Sequence, residues 1–270
     1  MKCGLRSFKH ATSYFCATAM RRILSVLVLI AFTVAGKAQN VNLNDSVVQA
    51  NLIVIDGAAG LPLGDLADRF GLHGLAGVGW QFKTKQNLLF GISGHYLFGS
   101  DVKEDSIFYN LKTDDGNIIG SDGQLYNPAL FEQGFDLMVY FGGITNILGI
   151  NPNSGIAIIG GVGYMQHNIQ IYIDESLAPQ LTGDYKKGYD RLTGGVQFSE
   201  YIGYYLFSNR NFVNFRAGIE FTQAFTTGIR SINFDNQLTE TDNRLDMMIN
   251  LKLSWILPVY QKPARRYYTY

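Results

Sequence analysis

Apolar and polar residues alternate along the segment NFVNFRAGIEF, which covers residues 211–221. One side of the segment carries Val213, Phe215, Ala217, Ile219 and Phe221, and the other carries Asn214, Arg216, Gly218 and Glu220. Alternation at period two is typical of a β-strand whose two faces meet different environments. In a water-soluble sandwich the apolar face meets a core, whereas in a membrane barrel it meets lipid and the charged face points inward. The rest of the chain distinguishes these two arrangements.

The same alternation recurs in eight segments of the chain. They cover residues 50–60, 72–84, 87–99, 134–143, 155–172, 193–207, 211–225 and 244–259. In the last segment one face consists of Leu245, Met247, Ile249, Leu251, Leu253, Trp255 and Leu257. Such a long apolar row fits a lipid-facing band about 25 Å tall better than one face of a soluble strand. The pattern predicts an all-β fold, namely an eight-stranded antiparallel transmembrane up-and-down β-barrel.

Short and long connections alternate between these segments from the second connection onward. Turns of sequence KTKQN, ITNILGINPNS and SNRN separate longer loops over 100–133, 173–192 and 226–243. Barrels of the bacterial outer membrane have an even number of strands, short periplasmic turns and longer external loops. Seven connections between eight strands then place both ends of the barrel on the periplasmic side.

A short apolar segment precedes the first strand. In MRRILSVLVLIAFTVAGKAQ (20–39) two arginines precede the apolar run, and Gly-Lys-Ala follows it. This order is typical of a secretory signal peptide, and the run is too short to span a bilayer. We predict a signal peptide over 1–38, with Met1 and Met20 both open as its start, a barrel over 39–260 and a periplasmic tail over 261–270. Cys3 and Cys16 fall in the removed part, so the exported chain has no disulfide.

The exported chain is acidic. Residues 1–38 contain six basic and no acidic residues, so their removal leaves 16 basic and 22 acidic residues, a net charge of −6. Such a charge disfavours nucleic acid as a partner. Seven acidic residues define a predicted external acidic loop: Asp101, Glu104, Asp105, Asp114, Asp115, Asp122 and Glu132. The loop would bind divalent cations that bridge lipopolysaccharide, or a basic partner; a merely solvated loop is the alternative.

Charged residues of both signs lie on the polar faces of the predicted strands. They are Asp56, Lys83, Asp136, Arg216, Glu220, Asp246 and Lys252. The interior of an eight-stranded barrel is just wide enough for side chains to fill. We therefore predict an interior charge network with a structural role, and a conduction or proton pathway is the alternative interpretation of the same residues.

We find no catalytic, cofactor-binding or metal-binding signature in the sequence. The glycine-rich segment GIAIIGGVG (155–163) lacks the GK[ST] ending of a phosphate loop. The Asp-Gly pairs at 115–116 and 122–123 lack the register of a calcium loop. Ser93 and His95 are close in sequence, but alternation points both inward, away from any lipid substrate. We predict that the protein is not an enzyme and carries no cofactor or metal.

Over residues 39–260 the chain resembles small outer-membrane β-barrels of the OmpA/OmpX-like class. The segments AGKAQN, LPLGDLADRFG and KTKQNLLFGISGHYLFGSD resemble the style of such barrels in Bacteroidota. That group includes PorT-like accessory barrels of the secretion and gliding machinery. The resemblance is architectural, and no functional residue is carried over from it.

The resemblance implies an outer-membrane location and a structural, assembly or secretion-accessory role through the loops or tail. The implied partners are outer-membrane lipid or lipopolysaccharide and another envelope protein. Three alternatives remain open from the sequence: a narrow porin-like channel, a lipid-modifying outer-membrane enzyme, and a secreted soluble barrel that binds a ligand.

Overall fold

The computed structural model describes residues 43–113, 115–173, 178–209, 213–235, 237–239 and 241–260. The predicted signal peptide and the predicted tail lie outside these ranges, as does Asp114, so the structure does not test them. Within the described ranges, no helix is long and apolar enough to cross a bilayer.

Ten strands and one short α-helix make up the regular structure of the described residues. The strands are β1 (Ala50–Gly64), β2 (His73–Lys83), β3 (Leu88–Gly99), β4 (Ile118–Ile119), β5 (Leu125–Tyr126), β6 (Ala129–Thr145), β7 (Gly155–Tyr172), β8 (Thr193–Leu206), β9 (Phe215–Gly228) and β10 (Arg244–Tyr260). Helix α1 (Asp65–Arg69) follows β1, and 3-10 turns cover Asp105–Phe108, Pro179–Leu181 and Gly183–Gly188.

Eight of the strands form a closed antiparallel barrel. Their order around the ring is β1-β10-β9-β8-β7-β6-β3-β2, and β1 pairs with both β10 and β2. Each barrel strand pairs with the next barrel strand along the chain (β3 with β6, since the hairpin β4–β5 lies outside the ring), and β1 pairs with β10 to close the ring, so the topology is up-and-down. The predicted fold class is confirmed. Closure leaves no unpaired strand edge, which a sheet surrounded by lipid requires.

The two faces of the wall have opposite character. The outer surface exposes a middle zone of aliphatic side chains, among them Val78, Ile92, Val139, Ile202 and Leu251. The inner surface buries charged and polar groups together with large aromatic rings. In the segment NFVNFRAGIEF, Phe215, Ala217 and Ile219 face outward and Arg216 faces inward. This confirms that the apolar face of the strand points out of the barrel and its charged face points into the lumen.

Several predicted strand boundaries are wrong. β1 continues to Gly64 through Pro62, because Leu61 and Leu63 extend the outward apolar row although the proline lacks an N–H donor. β6 begins at Ala129 instead of residue 134, and β9 begins only at Phe215. At Gly64 the φ angle is +58°, which favours glycine, and the chain turns there into α1.

The barrel has two different ends. The turn end carries the connections 84–87, 146–154 and 207–214. The first residue of β1 and the last residue of β10 lie there too. The loop end carries α1 and the longer loops 100–128, 173–192 and 229–243. The predicted alternation of short and long connections is therefore present.

Candidate functional site: the charged lumen and the loop cap

A network of hydrogen-bonded charges occupies the middle of the lumen. The ring of His95 lies between two carboxylates, with Nδ1 at 2.8 Å from Asp136 Oδ1 and Nε2 at 3.2 Å from Asp56 Oδ2. Asp56 also accepts from Arg216 Nη2 at 2.7 Å and from the Ser254 hydroxyl. The side chains of Asp56 and Arg216 are 1% and 5% exposed. Five strands (β1, β3, β6, β9 and β10) thus contribute to one buried network of ion pairs and hydrogen bonds.

Arg216 is the most connected cation of this network. Its Nε donates to Ser254 Oγ at 2.9 Å and its Nη1 donates to the Tyr205 hydroxyl at 2.7 Å. The guanidinium also lies 5.4 Å and 5.7 Å from the ring centroids of Tyr201 and Tyr205. The guanidinium suits such a position, because its rigid planar fork donates in three fixed directions while the same group lies against two aromatic rings.

A second ion pair lies beside the first network. Lys252 Nζ donates to Glu220 Oε2 at 2.8 Å, across the neighbouring strands β10 and β9. The cavity between these groups and Tyr140 and Tyr201 measures about 20 Å³, which is room for about one water molecule. The middle of the lumen is therefore filled by side chains.

Asp246 belongs to a separate cluster at the loop end. It accepts from His167 Nε2 at 2.9 Å and from the Thr226 hydroxyl at 2.5 Å, and Arg244 Nη2 lies 3.4 Å away. The ring of Phe70 meets the His167 ring edge-on, with centroids 5.5 Å apart. His167, Asp246 and Thr226 are buried, and the side chain of Arg244, at 15% exposure, is the part of this cluster that solvent reaches.

Lys83 lies at the opposite, turn end. Its Nζ donates to the Val48 carbonyl at 3.0 Å and to Asn153 Oδ1 at 2.8 Å. Asn153 also binds the chain that precedes β1, because its Nδ2 donates to the carbonyls of Leu43 and Ser46 at 3.0 and 2.9 Å. Residues 43–49, which we term the strap, thereby cover the turn end of the lumen.

The seven predicted interior residues are all inside the barrel, but the structure distributes them over three places. Asp56, Asp136, Arg216, Glu220 and Lys252 come together in the middle, Asp246 lies at the loop end and Lys83 at the turn end. Sequence reasoning did not assign His95 or Tyr205 to the network, although alternation along β3 and β8 turns both inward. Asn153 lies in a turn, where no periodic signal identifies it.

The longer loops fold together over the loop end and form what we term the cap. Its apolar core contains Leu66, Phe70, Ile107, Phe108, Ile118, Leu181 and Tyr189, with Phe234 packed against it. Arg69 Nε donates to Glu104 Oε1 at 3.1 Å, and Arg191 Nη2 donates to Asp235 Oδ2 at 2.5 Å. The loops are thus joined by both apolar contacts and ion pairs, and they close this end of the lumen.

The predicted acidic loop is only partly an exposed acidic surface. Asp101, Asp115 and Asp122 are exposed, and a hydrogen bond from the Tyr126 hydroxyl lowers the pKa of Asp122 below its ordinary value. Asp105 lies in a 3-10 turn, and Glu104 binds Arg69.

Glu132 does not belong to the acidic loop, and that prediction is wrong. It lies in β6, is 2% exposed and faces inward, because β6 starts five residues earlier than the sequence indicated. His73 is buried beside it, since both are paired with Gly99 of β3. Neither carboxylate oxygen of Glu132 and neither ring nitrogen of His73 has a hydrogen-bond partner of normal geometry among the described residues.

His95 is not placed to act as a catalytic base. Both ring nitrogens of His95 are occupied by carboxylates, so neither is available to take a proton from a hydroxyl. In the described part of the chain, no three His, Cys, Asp or Glu side chains are arranged to hold a metal ion.

Comparison with known proteins gives structural likeness without sequence relatives. No family model matches the chain, and no curated protein matches it. Among solved structures, Neisserial surface protein A is 8% identical to this chain with a TM-score of 0.40. The match covers 77% of this chain and 96% of the Neisserial chain. Ail of Yersinia pestis is 9% identical with a TM-score of 0.36 and coverages of 77% and 99%. The β-barrel domain of Pseudomonas aeruginosa OprF is 10% identical, with a TM-score of 0.34 and coverages of 77% and 98%. These likenesses concern the fold alone, and the description of the barrel rests on the strand pairing of this chain.

Proposed function

We propose that this protein is a non-enzymatic barrel of the bacterial outer membrane whose cap contacts another envelope component. The observation that carries the proposal is the outer surface, which consists of an aliphatic zone between two aromatic belts. The turn-end belt includes Trp80, Phe82, Phe90, Phe141, Tyr204, Phe215 and Trp255, and the loop-end belt includes Tyr96, Phe98, Phe131, Phe135, Tyr164, Phe198 and Phe225. Aromatic belts of this kind lie at the two interfaces of a bilayer.

The separation of the belts matches a membrane. On β3, Phe90 and Phe98 belong to opposite belts and lie eight residues apart. At a rise of about 3.4 Å per residue and a tilt of roughly 40°, this distance corresponds to about 21 Å along the barrel axis. The value is close to the apolar band of about 25 Å found in transmembrane barrels. Rings of neighbouring strands also contact each other within a belt, as Phe90 and Phe141 do at 6.4 Å.

The filled lumen favours a structural role over conduction. The central network, the strap and the cap each obstruct the axis of the barrel, so a narrow channel would require all three to move. A soluble ligand-binding barrel is disfavoured as well, since it would leave both aromatic belts in water.

The cap supplies the surface through which a partner would bind. Because it has its own apolar core and ion pairs, it presents fixed positions instead of mobile loops. Exposed apolar groups on it include Tyr109, Ile119, Leu125 and Leu238, beside the acidic Asp115 and Asp122. This mixture suits an envelope protein, or lipopolysaccharide with its bridging cations. A Bacteroidota origin and a PorT-like secretion-accessory role are the finer form of the proposal, and they rest on the sequence resemblance.

Heat modifiability tests the proposal directly. Outer-membrane fractions containing the full chain are separated on a detergent gel with and without boiling. We expect the protein in this fraction and a faster-migrating band without boiling, because a closed barrel resists detergent. Planar bilayers that contain the purified protein should show no single-channel steps. Recovery in the soluble fraction without a mobility shift would overturn the membrane assignment, and regular steps would overturn the structural role.

A further inference from the structure

Among the described strand residues, one carboxylate faces outward in the apolar wall. Glu200 lies near the middle of β8 and is exposed on the outer surface, between Phe198 and Ile202 of the same outward row. The other charges of the strand middles point into the lumen, where they are paired. A charged side chain on the lipid face destabilises a barrel, although an acidic one does so less than an arginine or lysine. Glu200 is therefore a costly residue at this position unless something covers it.

The surroundings of Glu200 leave room for a partner. Its hydrogen bond among the described residues is a long one, from Gln223 Nε2 of β9 at 3.4 Å. A carboxylate can accept about four hydrogen bonds, so most of its capacity is unused. On the other side, Gly160 of β7 is paired with Glu200, and no atom lies within 4 Å of the place where a Cβ would stand. The wall therefore has a dent next to an exposed acceptor.

We propose that a second copy of this chain docks on the β7–β9 wall through a two-fold axis near Glu200. Glu200 only accepts hydrogen bonds, whereas the Gln223 amide also donates them. A two-fold axis brings Gln223 of one copy to Glu200 of the other, and the reverse, so the same pair of residues satisfies both copies. A partner of another kind would need its own donor at this place, whereas a second copy carries the donor already.

The shape of the wall supports the same partner. The dent at Gly160 allows close approach of the two barrels, as small residues do between membrane-embedded segments. Phe198 and Phe225, in edge-to-face contact at 6.3 Å, form an apolar rim on the loop-end side. The proposal rests on the membrane placement proposed above, because in water Glu200 would need no cover.

Cysteine cross-linking tests the docking. The two native cysteines, Cys3 and Cys16, lie in the predicted signal peptide, so one introduced cysteine is the only thiol of the exported chain. We expect the Gly160→Cys variant to form a covalent dimer when outer membranes are treated with a thiol-specific bis-maleimide, because an axis between Glu200 and Gln223 places the two β7 positions near each other but beyond the reach of a direct disulfide. The matched control is Val78→Cys, which is exposed on β2, the strand opposite β8 in the ring, and which should stay monomeric after the same treatment.

A second substitution identifies the contact that holds the dimer. Adding Glu200→Leu to Gly160→Cys should lower the association constant of the dimer about five- to tenfold. The reason is that the two Glu200–Gln223 hydrogen bonds between the copies are lost, and hydrogen bonds between membrane-embedded segments are individually modest. This substitution makes the lipid face more apolar, so the barrel itself should still show its heat-dependent mobility. Equal cross-linking of Gly160→Cys and Val78→Cys, an adduct with a different protein, or a dimer that Glu200→Leu leaves unchanged would each overturn the proposal. A soluble protein without a mobility shift would instead overturn the membrane placement.

Discussion

Substitution of Arg216 by methionine should destabilise the barrel more than loss of any ion pair in the cap. Arg216 makes three side-chain hydrogen bonds at 2.7–2.9 Å, to Asp56, Tyr205 and Ser254. Methionine keeps much of the volume but none of the donors, so Asp56 remains as a buried carboxylate with one cationic partner fewer. Breaking a buried ion pair costs about 3–5 kcal/mol. Because His95 and Ser254 still bind Asp56, we expect a loss of about 3 kcal/mol in the free energy of unfolding, the lower end of that range.

The assay is urea unfolding of the purified protein in lipid vesicles, followed by tryptophan fluorescence. The chain has two tryptophans, Trp80 and Trp255, and both face outward in the turn-end belt. Their emission therefore reports the transfer of the wall from lipid to water.

Two further variants separate charge pairing from general disruption. Arg230→Met removes a cap pair in which the arginine side chain is 27% exposed, so it should cost about 1 kcal/mol or less. The double variant Asp56→Asn with Arg216→Met should be less destabilised than the sum of its two single variants by about 2 kcal/mol, since neither charge is then left alone. Additive losses, or equal losses for Arg216→Met and Arg230→Met, would refute the reasoning.

Three other outcomes follow from the structure. Glu132→Met should raise the free energy of unfolding by about 1–2 kcal/mol in the same urea assay, because it replaces a buried polar group that lacks partners by an apolar side chain of similar length; a loss of stability would show that Glu132 is bound by something. Asn153→Ala should expose the strap to added protease at its residues 43–49 while the barrel band on an unboiled gel stays unchanged, since four hydrogen bonds that hold Val48, Leu43, Ser46 and Lys83 are lost. Burial and the neighbouring Asp235 raise the pKa of Tyr189 above its ordinary value of 10.0, so the folded cap prefers the neutral phenol. The contribution of neutral Tyr189 to the stability of the cap is complete below pH 10.0 and is lost as the pH rises through the raised pKa. Near-ultraviolet circular dichroism of the cap should show this loss, and Tyr189→Phe should remove it.

The faces of the wall were predictable from the sequence because a strand alternates strictly. A single polar residue in an apolar row does not disturb the period. In VQFSEYIGYYL the alternation places Glu200 on the same outward face as Val196, Phe198 and Ile202. The predicted charge network did not include Glu200, because that network consists of charged residues on the polar faces of the strands.

The strand ends were harder to predict, for a physical reason. Above the apolar band the outer face meets water and head groups, so the contrast between the faces fades there. β6 begins in such a region, and its first residues ALFEQ resemble a loop. For the same reason Glu132 was assigned to the acidic loop although it continues the inward row of Gly134 and Asp136.

The cap and the strap could not be predicted from local pattern. Arg69 binds Glu104, and Arg191 binds both Glu104 and Asp235, across separations that no periodicity encodes. The Asn153 contacts with residues 43–48 span more than 100 positions. Such contacts depend on which loops the closed ring brings together, so they follow from the topology and not from the segments themselves.

The small β4–β5 hairpin gives the barrel a practical use as a carrier. Its turn closes with a hydrogen bond from Gly123 N to the Gly120 carbonyl at 3.0 Å, and Gly123 has a φ angle of +78° with no atom within 4 Å of its Cβ position. Loop tips of this kind accept inserted residues readily. A peptide epitope inserted after Gly123 should therefore be displayed at the loop end, while the ring and its charged interior stay as they are.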